Sequence, residues 1–407
     1  MTPLFVTHYT LTSALGHGKD ATLSALLQGR SGLRANDFAD AQLDTFIGRV
    51  DGVEDIALPP SLEYFDCRNN RLAQLALEQD GFASAIETAR AKYGARRIAV
   101  ILGTSTSGIQ ATEHAYRHRD PESGALPADF HFAGTQSMGS VADFVRQYLG
   151  LSGPAFVIST ACSSSAKVFA SAARLMQTGL CDAAVVGGVD SLCAMTLYGF
   201  NSLQLVSPEP CRPCDRDRKG ISIGEGAGFF LLENSPLPSP LPLAGEGANG
   251  AGPLALLGYG ESSDAYHMST PHPEGLGAAL AMEQALAAAR LQPGEIDYIN
   301  MHGTSSRSND AAEDQGMQRV FGTNTPCSST KGATGHTLGA AGAVEAAISC
   351  ICLENGFTPG SCTTRTLDPE LGCAIQLQAV SRPLRRVMSN SFGFGGNNCS
   401  LIFGAQP

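Results

Sequence analysis

The sequence predicts an α/β protein built from two related halves, and three observations point that way. Short apolar runs such as residues 97–103 and 183–188 lack polar alternation, so they read as strands buried on both faces and largely parallel. Alanine-rich segments at helical spacing follow those runs, the order of an α/β chain. The chain has 407 residues, too many for one ordinary core, and one pattern occurs twice in it. Ser159-Thr-Ala-Cys162 leads into an alanine-rich helix, and Ser329-Thr-Lys331 leads through Gly-Ala-Thr-Gly-His336 into a helix of small residues over 338–348.

From the N-terminus, residues 4–6 read as a strand, and Ser13-Ala-Leu-Gly16 as a turn into a helix carrying Leu23, Leu26 and Leu27. Residues 33–60 read as irregular. Arg68-Asn-Asn-Arg71 opens a helix that buries Leu72, Leu75 and Leu77, with its arginines on a solvated face. The strand at 97–103 ends in a small-residue turn over 104–108, and a helix is expected around 141–149. Residues 156–158 read as a buried strand that turns at Cys162 into a helix with Val168, Phe169, Ala172 and Leu175 on one face. Gly224-Glu-Gly-Ala-Gly228 continues into Phe229-Phe-Leu-Leu232, a strand rather than a helix, which excludes a dinucleotide-binding loop. Residues 235–253 form a Pro/Gly-rich insertion, expected as an exposed linker between a half spanning 1–252 and a half spanning 253–407. Beyond it come a strand at 254–257, a helix over 277–290 and a strand at 296–301.

Composition narrows the function classes. Residues are 43% hydrophobic and 16% charged, and the formal net charge of −11 speaks against nucleic acid as a partner. An anionic partner would need a local basic patch. Twelve cysteines are spread over a chain whose start lacks the pattern of a secretion signal, so the expectation is a reduced, cytoplasmic protein without a disulfide framework. No run approaches 18 uninterrupted apolar residues, so no membrane span is expected. Cys211-Arg-Pro-Cys214 is half a zinc site with no second pair at ligand spacing, so no metal is expected.

The chemistry centres on Cys162. A helix N-terminus offers free amides and the positive end of a dipole, which stabilise a thiolate, and the small neighbours leave room for a substrate. A buried structural cysteine is the commoner fate of this residue type, so Cys162 alone decides nothing. His302 ends a strand in Met301-His-Gly-Thr-Ser-Ser306, and His336 sits where a Gly-rich turn enters a helix. One Cys with two His allows a Cys–His hydrolase, in which an amide orients the base. It also allows a condensing enzyme, in which both imidazoles hydrogen-bond a developing enolate. Lys331 adds a cation whose candidate partners are Glu313 and Glu345, with Asp310 as further site support. In Ser389-Asn-Ser-Phe-Gly-Phe-Gly-Gly-Asn-Asn398, Phe392 and Phe394 sit on a glycine-rich loop that is either a core turn or a gate with an oxyanion-binding amide.

Taken together these motifs resemble the β-ketoacyl–acyl-carrier-protein synthases, the elongating ketosynthases of the thiolase superfamily. The likeness runs from Arg97 nearly to the C-terminus, through Thr160-Ala-Cys-Ser-Ser, Gly224-Glu-Gly-Ala-Gly, Ser263-Asp-Ala-Tyr-His-Met, His302-Gly-Thr-Ser, Ser329-Thr-Lys, Gly335-His, Gly339-Ala-Ala-Gly-Ala-Val-Glu and Asn390-Ser-Phe-Gly-Phe-Gly-Gly. The resemblance implies a five-layered αβαβα thiolase-like fold, a Cys162–His302–His336 site, and decarboxylative condensation of a malonyl carrier with an acyl group on Cys162. No cofactor is implied, since loss of CO2 drives the step. Amides of Cys162 and Phe394 would hold the oxyanion, Thr304 and Ser306 would contact the pantetheine arm, and Ile109, Phe130 and Phe132 would line the acyl pocket. Arg68, Arg71 and Arg212 would dock the acidic acyl carrier protein. The family implies a dimer, a homodimer by default; Arg68-Asn-Asn-Arg71-Leu looks less like the housekeeping fatty-acid enzymes than like the ketosynthases of aryl-polyene clusters, which implies instead a heterodimer with a chain-length-factor-like subunit. A degradative thiolase would want a second catalytic cysteine near the last loop, where only Cys399 stands.

Overall fold

The computed structural model describes residues 1–235 and 253–405, so the insertion expected at 235–253 lies almost wholly outside the described residues. Among the described residues, leaving aside two-residue strands, five strands precede it: β1 (Leu4–Ser13), β2 (Ile98–Gly103), β3 (Ala155–Ile158), β4 (Ala183–Asp190) and β5 (Gly226–Glu233). Five more follow: β6 (Leu254–Ser263), β7 (Tyr298–Asn300), β8 (Pro326–Ser328), β9 (Arg386–Gly393) and β10 (Asn397–Ala405). Outward from the centre, the first set runs β1-β5-β4-β2-β3 and the second β6-β10-β9-β7-β8. In each half the spatial order is therefore first, fifth, fourth, second, third. The two sets meet where Leu4 and Phe5 of β1 pair with Leu256 and Ala255 of β6.

The expected parallel pairing holds only toward the two ends, where β2 pairs β3 and β4, and β7 pairs β8 and β9. The central pairs, among them β1–β5, β4–β5, β6–β10 and β9–β10, are antiparallel. Between β9 and β10 only residues 394–396 intervene, a link too short for a parallel crossover.

Layering follows from which residues each strand turns to each side. In β2, Ile98, Val100 and Leu102 face a core made with helices α1 (Arg68–Leu77) and α2 (Ser140–Tyr148). Ala99 and Ile101 face the opposite core, which holds helices α3 (Ser164–Gln177) and α4 (Ala341–Asn355). Both faces of the strand are covered, which is why its sequence is apolar throughout. The helix Leu276–Ala289 covers the outer face of the second sheet. The order is thus helices, sheet, the α3–α4 pair, sheet, helices. Small residues let α3 and α4 meet closely: a Cβ on Gly342 would lie 2.5 Å from the amide nitrogen of Ala166, and the Ala343 N–H donates to Ser165 Oγ at 2.9 Å. The helical run Leu338–Asn355 is long and apolar enough to cross a membrane by composition, yet it is this central helix, enclosed between the sheets.

Strand β3 departs from expectation. Among the described residues it has a neighbour on one side only, and Phe156 is 38% exposed. An apolar run of four residues does not say whether a strand lies inside a sheet or along its edge.

Candidate active site

Between β3 and α3 the chain makes a tight elbow in which Ala161 takes φ +53°, unusual for a residue with a Cβ. Side chains of the elbow hold it: Ser164 Oγ donates to the Ala161 carbonyl at 2.5 Å and accepts from the Thr160 N–H at 2.9 Å. The end of β9 presses on the turn, and Gly393 makes that contact possible, because a Cβ there would stand 2.9 Å from the Thr160 carbonyl oxygen. Cys162 Sγ lies 3.1 Å from His336 Nε2 and faces the backbone amide of Phe394. The structure differs from the expected thiolate. Burial pushes the Cys162 thiol up to about 11, and the Lys331 charge and Phe394 amide do not offset it. Cys162 is therefore a thiol beside an imidazole.

Cys162, His302 and His336 each bring one sulfur or nitrogen within 4.8 Å of the others, and the two rings stand edge to face at 5.3 Å. Burial, with the nearby Lys331 charge, holds both imidazoles well below their usual range, so both are neutral at pH 7. Lys331 is fully enclosed and uses all three of its donors. Its ammonium lies 3.3 Å from His302 Nδ1, donates to the His302 carbonyl at 2.6 Å, and pairs with Glu345. An ammonium can only donate, so His302 Nδ1 must accept and Nε2 must carry the ring proton. His336 has no such tether, for its Nδ1 is buried without a partner.

Glu345 is the partner of Lys331, and burial raises its carboxyl to about 7. Glu313, the other expected partner, instead accepts the backbone N–H groups of His302 at 2.8 Å and Gly303 at 2.7 Å. The helix Arg307–Phe321 returns Glu313 to the start of its own loop, which brings it to the backbone rather than to the lysine. Asp310, on the same helix, accepts from the Cys214 N–H at 2.8 Å and the Ser305 N–H at 3.1 Å, and Arg218 lies 3.3 Å away. Cys211 and Cys214 join no cluster of metal-ligating side chains among the described residues.

The pocket above Cys162 is lined by both histidines, Thr304, Ser306, Phe392 and Phe394. Thr304 and Ser306 share a 3.0 Å hydrogen bond, Phe392 packs on His302, and Phe394 packs on Phe200. Sequence reasoning missed Phe200, Leu205, Thr270 and Asn309, which also line it. Their one sequence signal is adjacency: Asn309 follows the His302 loop and Thr270 follows the Ser263–Met268 motif. Ile109, Phe130 and Phe132 lie outside this pocket; Ile109 is buried, Phe130 half-buried and Phe132 62% exposed. Cys399 is buried in the core between the sheets, so it is no second nucleophile.

Of the expected docking arginines, Arg68 needs correction. Arg68 points inward and is bound by Glu225 and Glu54, Arg71 is paired with Asp66, and Arg212 with Glu209. Arg68 lies on the buried side of α1, where Glu225, 157 residues away in sequence and invisible to helical spacing, compensates its charge.

Two family models match: the β-ketoacyl synthase N-terminal domain over residues 1–236 and the C-terminal domain over residues 255–365. The chain is 34% identical over 423 aligned residues to 3-oxoacyl-[acyl-carrier-protein] synthase 2 of Vibrio cholerae, with 98% of each chain covered. It is 40% identical over 320 residues to the same-named protein of Rhizobium meliloti, covering 74% of this chain and 73% of that one. Among solved structures, the ketosynthase ApeO in complex with its chain length factor ApeC from Xenorhabdus doucetiae aligns over 100% of this chain and 98% of that one. The TM-score is 0.88 and the identity 40%. A β-ketoacyl synthase from Burkholderia phymatum aligns over the full length of both chains at TM-score 0.85 and 29% identity. The chain belongs to the β-ketoacyl synthase family and has its thiolase-like fold. It is an acyltransferase of the elongating kind, which lengthens an acyl chain by decarboxylative condensation.

Proposed function

We propose that Cys162 holds the growing acyl chain and that His302 and His336 stabilise the enolate formed from a malonyl group on an acyl carrier protein. The observation that carries this reading is the tether on His302, which leaves its Nε2–H as a fixed donor in the pocket shared with Cys162 and His336. In the first step the thiol proton moves to His336 Nε2, sulfur attacks the carrier thioester, and the carrier thiol leaves with a proton. The free Nδ1 of His336 lets either ring nitrogen carry the proton, so this ring can accept from the thiol and later donate to the enolate. In the second step the malonyl carboxylate leaves as CO2, and its electron pair forms an enolate held by the two imidazoles. The enolate carbon attacks the Cys162 thioester. The tetrahedral oxyanion forms between the amides of Cys162 and Phe394, and the sulfur then departs as a thiolate that takes up one proton from solvent by way of His336, the proton that decarboxylation consumes. The product is a β-ketoacyl carrier two carbons longer, and no cofactor enters the balance.

A hydrolase would use an amide to orient the base. Here His336 Nδ1 has no such partner, and the nearby Asn398 is engaged by Ser262 and Asp264. Thr304 and Ser306 suit the pantetheine arm. For carrier docking, the exposed Arg307, whose neighbours Ser306 and Ser308 line the pocket, and the exposed Arg216 replace Arg68 in our reading. The open edge of β3, next to the Cys162 elbow, suits pairing with a second subunit. The likeness to ApeO, with its chain length factor, and to the ishigamide ketosynthase/chain length factor supports a heterodimer of this kind, in an aryl-polyene or related pathway. The exposed Phe132 is then a candidate to reach a tunnel shared across that interface. All twelve cysteines are unpaired, which suits a reducing cytoplasm.

The test is intact mass after mixing with an acyl carrier thioester, then again after adding malonyl carrier. An adduct lost in Cys162→Ala, and discharged into a product two carbons longer, is expected. Product formed at the wild-type rate by Cys162→Ala would overturn the assignment.

A further inference from the structure

The backbone around His336 is held by a buried ion pair that the mechanism above does not use. The carboxylate of Glu225 is fully enclosed. It accepts from Arg68 Nε at 2.9 Å and Nη2 at 2.6 Å, from the Val50 N–H at 3.0 Å and from the Leu192 N–H at 2.9 Å. Four donors thus tie three separate segments to one residue. The segment just before Glu225 carries His336: the His336 N–H donates to the Ser222 carbonyl at 2.8 Å, and the Gly224 N–H donates to the His336 carbonyl at 2.9 Å. On its other side, the Gly48 N–H donates to the Ile223 carbonyl and the Glu225 N–H to the Gly48 carbonyl, both at 2.9 Å. The layers leave no slack, since a Cβ on Gly48 would lie 2.1 Å from the Thr334 carbonyl oxygen and one on Gly224 2.6 Å from it.

Among the described residues the His336 ring has no side-chain tether of its own, because Nδ1 is unpartnered and Nε2 meets only Cys162. Its aim at the sulfur is therefore set by its backbone, and the backbone by residues 222–225. We infer that Arg68 and Glu225 are a positioning pair for His336: their buried bidentate contact fixes the segment 222–225 that sets the imidazole against Cys162. This rests on the role given to His336 above. It also reverses the expectation for Arg68, which acts from inside the fold rather than on a carrier.

Removing only the guanidinium would strand a buried carboxylate, so the informative variant is Arg68→Met/Glu225→Gln, which leaves no buried charge uncompensated, since Glu54, the other partner of Arg68, is exposed and keeps its pairing with Arg49. Arg68→Lys accompanies it, because one ammonium cannot reproduce the planar fork. The full chain is assayed for condensation with an acyl carrier and a malonyl carrier, and for the pH dependence of Cys162 alkylation by iodoacetamide. Thermal melts establish that each variant is folded. The expected result is a fall in kcat of about tenfold or more with carrier KM within twofold, and a displaced alkylation profile. In a His336→Ala background the same pair of substitutions should add nothing to either readout, as coupled residues require. A raised carrier KM with unchanged kcat would overturn the proposal in favour of docking, and an unchanged alkylation profile in a folded variant would overturn it outright. An equal further loss of kcat in the His336→Ala background would overturn it while leaving His336 catalytic. If His336→Ala itself condensed at the wild-type rate, the reading of His336 would fall instead, and the two failures are thereby told apart.

Discussion

The two histidines face one sulfur from opposite constructions. His302 is held by charge: Lys331 fixes its tautomer, Glu345 fixes Lys331, and Glu313 grips the backbone N–H groups of residues 302 and 303. His336 is held through its backbone: among the described residues its ring has no polar partner but Cys162, and its turn is hydrogen-bonded to residues 222–224 and wedged between glycine-lined backbone. The difference matches two duties. A group that must only donate gains from a locked proton, whereas one that must accept and then donate needs both nitrogens available.

The strongest way to break this comparison is to remove each ring. His302→Ala should slow condensation by about 10³-fold, as loss of a preorganised oxyanion donor does, while still allowing acyl transfer to Cys162 within a few-fold of wild type. His336→Ala should slow both steps. Equal loss of acylation in the two variants, measured by quenched intact mass, would erase the distinction.

A smaller effect sharpens the electrostatic side. Lys331→Met should lower kcat by about 10²-fold and destabilise the fold, because Glu345 is left buried without its cation. Lys331→Met/Glu345→Gln should recover most of the stability and none of the rate. Recovery of rate in the double variant would mean that Lys331 matters for folding alone.

Next comes the pH dependence of stability around His302. Burial raises Glu313 to about 7 from its ordinary 4.5. Between those values the folded state binds more protons than the unfolded one, so this group's contribution to stability falls as pH rises from 4.5 to 7, by up to about 3 kcal/mol. The neutral histidines act with the opposite sign, since the unfolded chain protonates them first as pH falls below about 6.5. Glu313→Gln should therefore be less favoured than wild type at pH 5 and closer to it at pH 7, read as the difference between two denaturant titrations. A constant offset across that range would show that Glu313 does not titrate there.

The smallest expected change is at the mouth of the pocket, away from both rings. Arg307→Glu should raise the KM for carrier a few-fold at low salt, leave kcat unchanged, and lose its effect as screening increases. An effect on kcat would place Arg307 in the chemistry instead.

Much of this was legible in the chain because it is local. A strand, a run of small residues and a helix make an elbow wherever they stand in that order, so Cys162 could be found from its neighbours. His302 and His336 were found in the same way, from the ends of elements and the glycines beside them. The apolar run of β2 declared that both faces of its strand are covered. What local sequence could not carry was the partner of a charge or the company of a strand. Glu313 was expected to meet Lys331 and meets the backbone instead, and β3 was expected inside a sheet and lies at its edge. The thiol was expected low from its helix end and is raised by burial, a quantity set by the whole pocket.

The sequence by itself determined the strand–turn–helix unit around Cys162, the α/β class, the doubled small-residue turn and the identity of the three site residues. Each follows from sterics and hydrogen bonding among residues a few positions apart. Only the tertiary structure decided which way Arg68 points, which proton His302 carries and how Cys162 is poised. Those depend on desolvation and on Coulomb partners as far apart in sequence as Arg68 and Glu225, which only the folded chain brings together.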